Sequence, residues 1–288
     1  MATYKHPESL VSTAWLADNI DRADVRIVDA TFTLPGTSPN AHDLYTKRHV
    51  PSAVFFDIDD ISDHANPLPH MLPSDAEFAA RMGALGLGDG RKIVVYDSAG
   101  FNSAPRAWWM IKAYGHDDVA ILDGGLPKWL AEGRPVTTLV PKTKPITFTA
   151  KLDRSRVRDK TQVLTNLASK AEQVIDARSA ARFAGTAQEP RPGLRAGHIP
   201  GSINIPIDSL ANPQTKTVLP ADQLAKRFGD AGIAPGGKSI VASCGSGVTA
   251  CAIAFGLHML GWGRAAVYDG SWSEWGLPGD TPVATGSD

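Results

Sequence analysis

The chain has 288 residues, 43% of them hydrophobic and 20% charged, a composition typical of a globular domain in water. Its 29 Lys and Arg residues nearly balance its 30 Asp and Glu residues, so the net charge is −1. This balance excludes a bulk attraction to nucleic acid or to an anionic membrane. The length corresponds to one large or two medium domains, since domains usually contain roughly 100–200 residues.

The chain contains two cysteines, Cys244 and Cys251, without a CxxC pair or a His/Cys cluster of zinc-site spacing. This pattern predicts neither a disulfide framework nor a metal site. The N-terminal sequence MATYKHPESL lacks the apolar core of a signal peptide. The longest apolar run, around 250–260, is shorter than the roughly 20 residues that cross a bilayer. We therefore expect a cytoplasmic protein with no membrane or nucleic-acid partner.

In chain order, short β-branched runs alternate with stretches of helical length and composition. The first half has strand-like runs at 25–30 and 92–96 and a helical stretch at 103–114. The second half has strand-like runs at 173–177 and 239–243 and a helical stretch at 248–260. The alternation predicts an α/β fold with a mostly parallel sheet, whose ligand site lies in loops at the carboxyl ends of the strands.

The two halves also match as an internal repeat. A shift of 146 positions aligns Gly115 with Gly261, Asp123 with Asp269, Trp129 with Trp275, and Ser98 with Cys244. Upstream, RIVDA matches VIDAR, and RHVPSAVFFDI matches GHIPGSINIPI. The repeat predicts two domains, 1–138 and 154–288, joined by a Pro-, Lys- and Thr-rich linker at 139–153. Because the thiol is present in one copy, we expect the second domain alone to be catalytic.

The stretch SCGSGVTA, residues 243–250, places Cys244 in a glycine-rich loop between a predicted strand and a predicted helix. Glycines allow successive backbone amides to turn inward as an anion-binding nest, and the helix N-terminus adds positive potential. Such surroundings favour a thiolate, so Cys244 is a candidate nucleophile. Cys251 lies within the apolar helical stretch, where we expect it to pack in the core.

Six segments together resemble the tandem rhodanese-type sulfurtransferases. VIDARSAARFAGT, GHIPGSINIP, SCGSGVTAC and VYDGSWSEWG are similar to the catalytic half of that family, and APRAWWM and FFDIDD…PHMLP to its inactive N-terminal half. The resemblance implies two tandem rhodanese-like domains, each with a mostly parallel central sheet flanked by helices. Gly245 and Ser246, which follow the cysteine, are neutral. Thiosulfate sulfurtransferases typically carry basic residues there, so the loop is more similar to that of 3-mercaptopyruvate sulfurtransferases.

The resemblance also implies a ping-pong reaction without a metal or an organic cofactor. Cys244 would attack the sulfur of 3-mercaptopyruvate, release pyruvate and become a persulfide. Backbone groups of the loop would hold that persulfide and the substrate, and the residues concerned are Gly245, Gly247, Val248 and Thr249. An acceptor thiol such as thioredoxin or glutathione, or cyanide, would then remove the sulfur. A monomer suffices, because the two copies can bury their shared face within one chain.

Five further side chains receive roles from the family pattern. Arg182 and Arg191 match two arginines that bind the substrate carboxylate, for which a guanidinium is suited by its paired donors. Ser246, His70 and Asp59 match a proton relay in which the aspartate orients the imidazole, as the third group does in other triads. We interpret Arg178, His49 and His198 as structural.

Three alternatives are weighed against this interpretation. A cysteine phosphatase needs an arginine six positions after its cysteine, and that position holds Ala250. A thiosulfate sulfurtransferase would use the same persulfide with a different donor. A non-catalytic sulfur carrier would need the cysteine but not the relay or the paired arginines.

Overall fold

The structure, a computed structural model, describes residues 2–286 and contains one five-stranded sheet in each half of the chain. The elements of the first half are β1 (Leu10–Val11), α1 (Thr13–Asn19), β2 (Val25–Asp29), α2 (Ala41–Lys47), β3 (Ala53–Phe55), α3 (Asp75–Ala84), β4 (Lys92–Tyr96), α4 (Ala104–Ala113), β5 (Val119–Leu122) and α5 (Gly125–Ala131). Those of the second half are β6 (Val157–Arg158), α6 (Lys160–Ser169), β7 (Glu172–Asp176), α7 (Ala180–Phe183), β8 (Ile203–Asn204), α8 (Ala221–Asp230), β9 (Ser239–Ser243), α9 (Ala250–Leu260), β10 (Ala265–Tyr268) and α10 (Ser271–Trp275).

The strand order is β1-β5-β4-β2-β3 in the first sheet and β6-β10-β9-β7-β8 in the second. Every pairing between these strands is parallel. The central strands β4 and β9 are almost entirely buried, since helices cover both faces of a parallel sheet. The predicted α/β fold with two mostly parallel sheets flanked by helices is confirmed.

The two halves pack on each other through α4 and α9. Both helices are buried nearly all round, because each lies between its own sheet and the opposite half. Trp108 meets Phe255 edge to face across this contact, with ring centroids 4.9 Å apart. One hydrophobic core runs through both halves. The carboxyl ends of β4 and β9, and the loops that follow them, therefore lie next to the domain interface.

The interface has an approximate twofold symmetry that follows the sequence repeat. Leu72 of the first half donates its backbone N–H to Asp269 Oδ2 at 2.8 Å. Val218 and Asp123 are the repeat equivalents of Leu72 and Asp269. Val218 of the second half donates its N–H to Asp123 Oδ1 of the first half, also at 2.8 Å. The two halves thus contact each other through equivalent groups.

Residues 139–153 form no helix or strand and follow the surface of the first half. Ile146 donates its N–H to Gly83 O at 3.1 Å, and Lys151 donates to Tyr114 O at 2.9 Å. We propose this segment as the linker between domains 1–138 and 154–288, and these boundaries stay a prediction. Within residues 2–286, no helix has the length and apolar character needed to cross a membrane.

Candidate active site

Cys244 follows β9 directly, at the carboxyl edge of the second sheet, and is 2% exposed. Its backbone N–H donates to Ser271 Oγ at 3.1 Å, and its carbonyl accepts from the N–H of Trp272 at 3.0 Å. The next carbonyl, of Gly245, accepts from Ser273 N at 2.7 Å. The loop after the cysteine is therefore fastened by its carbonyls to the first turn of α10.

The backbone N–H groups of this loop, unlike its carbonyls, are not hydrogen-bonded to α10. Among residues 2–286, no protein acceptor receives a hydrogen bond from the backbone N–H groups of 245–249. Gly247 has a φ of +76°, which is the left-handed region that glycine enters without steric cost. Buried N–H groups almost always find an acceptor. Free amides beside a buried thiol therefore form a place for an anion.

The corresponding loop of the first half shows what such amides bind. The Asp97 carboxylate accepts five backbone N–H bonds of 2.7–2.9 Å, which are donated by Ala99, Gly100, Asn102, Ser103 and Ala104. In the first half, the loop amides thus bind the carboxylate of Asp97. In the second half, the corresponding amides lie beside the Cys244 thiol and are available to bind an anion.

The structure corrects the alignment of Ser98 with Cys244. Asp97 is the true counterpart of the cysteine, because Asp97 O accepts from Leu126 N as Cys244 O accepts from Trp272 N. The first-half loop, residues 97–103, is one residue longer than the second-half loop, residues 244–249. A shift of 146 matches α3, α4 and α5 to α8, α9 and α10, whereas β2 and β4 match β7 and β9 with a shift of 147.

His70 reaches this loop from the other half. Its Nδ1 lies 3.0 Å from Ser246 Oγ and 3.3 Å from the Ser246 carbonyl. Its Nε2 lies 2.8 Å from Asp59 Oδ1. The imidazole beside it lowers the pKa of the Asp59 carboxyl. A charged Asp59 favours the tautomer with the proton on Nε2, so Nδ1 can accept the proton of the Ser246 hydroxyl.

Arg182 lies against the loop and is held by an acid that the sequence analysis did not identify. Its Nη2 and Nε lie 2.5 and 3.2 Å from the two carboxylate oxygens of Glu189. The Glu189 side chain is 3% exposed and also accepts from Arg178 at 2.9 Å. A Cβ on Gly245 would lie 3.0 Å from Arg182 Nη2, so a larger residue there would push the guanidinium back by a few tenths of an ångström.

Arg191 differs from Arg182 in having no carboxylate partner among the described residues. Its Nη2 is buried and has no hydrogen-bond partner among the described residues. Burial lowers the pKa of Arg191, while the nearby Cys244 and Asp59 act to raise it. These two effects reflect a guanidinium that lies near the thiol and is partly removed from water. An unpaired donor is unfavourable in such a position. A carboxylate is the kind of group that satisfies it.

These residues surround a cavity of about 280 Å³ between the two halves. Seven of the ten predicted site residues line it, namely Arg182, Arg191, Cys244, Gly245, Ser246, Val248 and Thr249. Gly247 belongs to the same loop without lining the cavity, His70 contacts the loop at Ser246, and Asp59 lies beside His70. The first half contributes Phe32, Leu34 and Asn102 to the wall. The structure therefore brings all the predicted residues to one place, while their roles stay a prediction.

The other residues interpreted from sequence have structural surroundings. Burial raises the pKa of the Cys251 thiol, which donates to the Gly247 carbonyl at 3.3 Å. Arg178 is buried and pairs with Asp176 at 2.6 Å. His49 and His198 each bond a backbone carbonyl at 2.8 Å through Nδ1, as expected for structural histidines. Within residues 2–286, no cluster of His, Cys, Asp and Glu could hold a metal ion.

Two tandem parallel sheets and a buried thiol beside the loop amides define a two-domain α/β protein with a candidate cysteine nucleophile. The family model described as Rhodanese-like domain matches residues 12–132 and again 159–277. The chain is 43% identical to thiosulfate/3-mercaptopyruvate sulfurtransferase 1, mitochondrial, of Arabidopsis thaliana, over 96% of this chain and 78% of the relative. It is 42% identical to the 3-mercaptopyruvate sulfurtransferase of Escherichia coli K12, over 95% and 96%.

Among solved structures, the crystal structure of SseA from Escherichia coli, described as a 3-mercaptopyruvate sulfotransferase, superposes with a TM-score of 0.83. It is 38% identical and covers 92% of this chain and 99% of its own. The chain belongs to the rhodanese family of tandem-domain sulfurtransferases.

Proposed function

We propose that this protein moves sulfur from 3-mercaptopyruvate to an acceptor through a persulfide on Cys244. The carrying observation is that the loop amides beside the thiol have no protein acceptor among residues 2–286, whereas the corresponding first-half loop holds the Asp97 carboxylate on five N–H groups. A persulfide anion needs the same stabilisation that those amides give a carboxylate.

In the first half-reaction, the Cys244 thiolate attacks the sulfur of the donor. A sulfur–sulfur bond forms, the bond from sulfur to the CH₂ carbon breaks, and its electron pair leaves with pyruvate as an enolate. The Ser246–His70–Asp59 relay would accept the proton of the donor's SH group and return it to the CH₂ carbon. The products are the Cys244 persulfide and pyruvate, without a net change in charge.

Binding of the donor carboxylate falls to the two arginines in the proposal. Arg191 has the buried, unused Nη2, and Arg182 is kept in place by Glu189. Because Glu189 already occupies the Nε–Nη2 edge of the Arg182 guanidinium, we assign Arg191 the larger share of the carboxylate binding. The cavity of about 280 Å³ is small, which suits a three-carbon acid.

The second half-reaction passes the outer sulfur to a thiol, such as glutathione or thioredoxin, or to cyanide, and regenerates the thiolate. We propose that one chain is sufficient, because both walls of the cavity come from the same chain. A reducing cytoplasm suits a protein whose two cysteines are both free thiols. The name of the Arabidopsis relative includes thiosulfate, so this donor is the second candidate.

Two measurements test the proposal. Steady-state assays with both donors should give a higher kcat/KM for 3-mercaptopyruvate than for thiosulfate, and an equal or reversed ratio would refute the donor assignment. Mass spectrometry after donor treatment should find one added sulfur, about 32 Da, on the peptide that contains Cys244. Cys244→Ser should abolish turnover and Cys251→Ala should not. Sulfur on Cys251 would overturn the choice of nucleophile, and no sulfur on either would indicate a non-catalytic module.

A further inference from the structure

Arg106 lies in the first turn of α4 and is completely buried between the two halves. A buried guanidinium is unfavourable unless it is both paired and hydrogen-bonded. Its Nη1 lies 2.9 Å from Asp269 Oδ1, and the two side chains are 0% and 5% exposed. Burial opposes the charge, yet the adjacent Asp269 raises the pKa of Arg106, so the guanidinium stays charged.

The same guanidinium bonds the backbone on both sides of the contact between His70 and Ser246. Nη2 donates to the His70 carbonyl at 2.5 Å, and Nη1 donates to the Gly247 carbonyl at 3.3 Å. Gly247 is the residue immediately after Ser246. One planar side chain, with its donors in a fixed geometry, therefore sets the spacing between the imidazole and the serine hydroxyl.

The packing around this pair leaves no room for the loop to move inward. A Cβ on Gly247 would lie 2.8 Å from the Asp269 carbonyl and 3.2 Å from Arg106 Nη1. On the other side, Asp269 Oδ2 accepts the N–H of Leu72, two residues after His70. The turn that contains His70 and the loop 244–249 are therefore both bound to the Arg106–Asp269 ion pair.

The approximate twofold symmetry separates this effect from simple domain docking. On the opposite side of the interface, Asp123 accepts from Val218 at 2.8 Å, and Lys216 takes the place of His70 with a φ of +61° against +62°. The residue in the place of Arg106 is Ala252. The domain contact and the turn therefore form there without an arginine. The arginine is on the side that carries Cys244.

We infer that Arg106 is a positioning residue for proton transfer, which sets the His70 imidazole against Ser246 through the two carbonyls it binds. The inference rests on the relay of the proposed function. It assigns Asp269 the task of keeping the guanidinium charged and oriented. Neither residue touches the substrate.

The test uses Arg106→Lys in the full chain, with Asp123→Asn as the matched control on the opposite side of the interface. A lysine keeps the charge beside Asp269 but cannot reach both carbonyls with one planar group. Arg106→Lys should lower kcat for 3-mercaptopyruvate by on the order of 10²-fold, because small misplacements of reacting groups have effects of that size. KM should change less than about threefold, and Asp123→Asn should retain wild-type kcat. An unchanged kcat in a folded Arg106→Lys protein would overturn the inference.

A double variant shows whether Arg106 acts through His70. Residues that act as a unit are non-additive, so Arg106→Lys combined with His70→Ala should be no slower than His70→Ala alone. A double variant slower by the full Arg106→Lys factor would contradict the inference. If His70→Ala itself keeps wild-type kcat, the relay of the proposed function fails instead. If Arg106→Lys does not fold, Asp269→Asn addresses the same question, and failure of both to fold would assign the pair to domain docking and refute a role in the relay.

Discussion

Asp97 and Cys244 occupy the same place in two copies of one loop. Each follows the central strand of its sheet, and each carbonyl accepts from the corresponding N–H, of Leu126 and Trp272 respectively. The carboxylate of Asp97 accepts from five amides, whereas the amides of 245–249 beside the thiol have no protein acceptor within residues 2–286. The first-half loop therefore binds an anion in the way that the proposed function requires of the second-half loop.

This equivalence makes the first-half nest a test of thiolate stabilisation. In a chain that also carries Cys244→Ser and Cys251→Ala, Asp97→Cys places a single thiol among the five amides. An ordinary thiol titrates near pH 8.5 and is unreactive at about pH 6. We expect iodoacetamide at about pH 6 to label this protein at least about 10-fold faster than the matched Ser98→Cys protein. Equal labelling rates would show that the nest does not favour a thiolate.

Substitution of Arg191 should affect KM differently for 3-mercaptopyruvate and for thiosulfate. Arg191→Ala should raise KM for 3-mercaptopyruvate by about 10- to 100-fold, the range of a lost hydrogen bond to a charged group of 1.5–3 kcal/mol. Its effect on KM for thiosulfate should be smaller, since thiosulfate has no carboxylate. Steady-state kinetics with both donors decide the matter, and a uniform effect on the two donors would argue against carboxylate binding.

Glu189 is expected to act through Arg182. Glu189→Gln keeps the size of the side chain but removes the charge that pairs with Arg182 and Arg178. Because the Glu189 side chain is 3% exposed, removing its charge takes the carboxylate from Arg182 and leaves Arg178 paired with Asp176 alone, which should lower the free energy of unfolding by about 3–5 kcal/mol. Urea denaturation measures this change, and a loss below about 1 kcal/mol would show that water replaces the carboxylate.

His70→Ala should lower kcat by about 10²- to 10⁴-fold, the usual contribution of a positioned acid–base group. KM for the donor should stay near the wild-type value, because His70 does not line the substrate cavity. His64→Ala is the matched control, since that side chain bonds the Asp60 carbonyl near the site and lies outside the relay. Similar losses of kcat in both variants would point to general disruption of the 59–70 segment.

The contribution of Asp59 to the free energy of unfolding should depend on pH. The His70 imidazole holds the pKa of Asp59 below its ordinary value of about 3.9, so the charged carboxylate is favoured in the folded state. The resulting stability is fully present above that ordinary value and is lost as the pH falls through the folded pKa. The effect should be small, because the side chain is 61% exposed. The difference in unfolding free energy between the wild type and Asp59→Asn should shrink below about pH 4. A difference that stays constant from about pH 7 to pH 3.5 would exclude the effect.

The sequence predicted elements with regular patterns well. The strand at Lys92–Tyr96 and the strand at Ser239–Ser243 have the predicted bounds, because a buried parallel strand is a continuous apolar run. The helix predicted at 248–260 begins at Ala250, since the loop residues before it lie outside the helix. The family and the tandem arrangement were also predicted and are confirmed.

The rest depended on contacts that a linear pattern does not contain. An ungapped alignment could not detect the extra residue in the first-half loop, so Asp97 was missed in favour of Ser98. Arg106 belongs to the motif APRAWWM, and a charge in so apolar a helix was the available signal that it is buried and paired. Glu189 was indistinguishable from a surface acid, because its partners Arg178 and Arg182 approach it only in the folded chain.

The paired contacts of Asp269 with Leu72 and of Asp123 with Val218 have the form of an isologous interface, in which each copy offers the other the same surface. A single-domain ancestor could form the same pair as a homodimer with two identical clefts. Fusion of the copies removes the requirement that both clefts share one sequence. Each half can then specialise, so that one retains the thiol while its twin supplies the histidine. In the tandem chain, two different loop sequences meet requirements that a homodimer would have to meet with a single loop sequence.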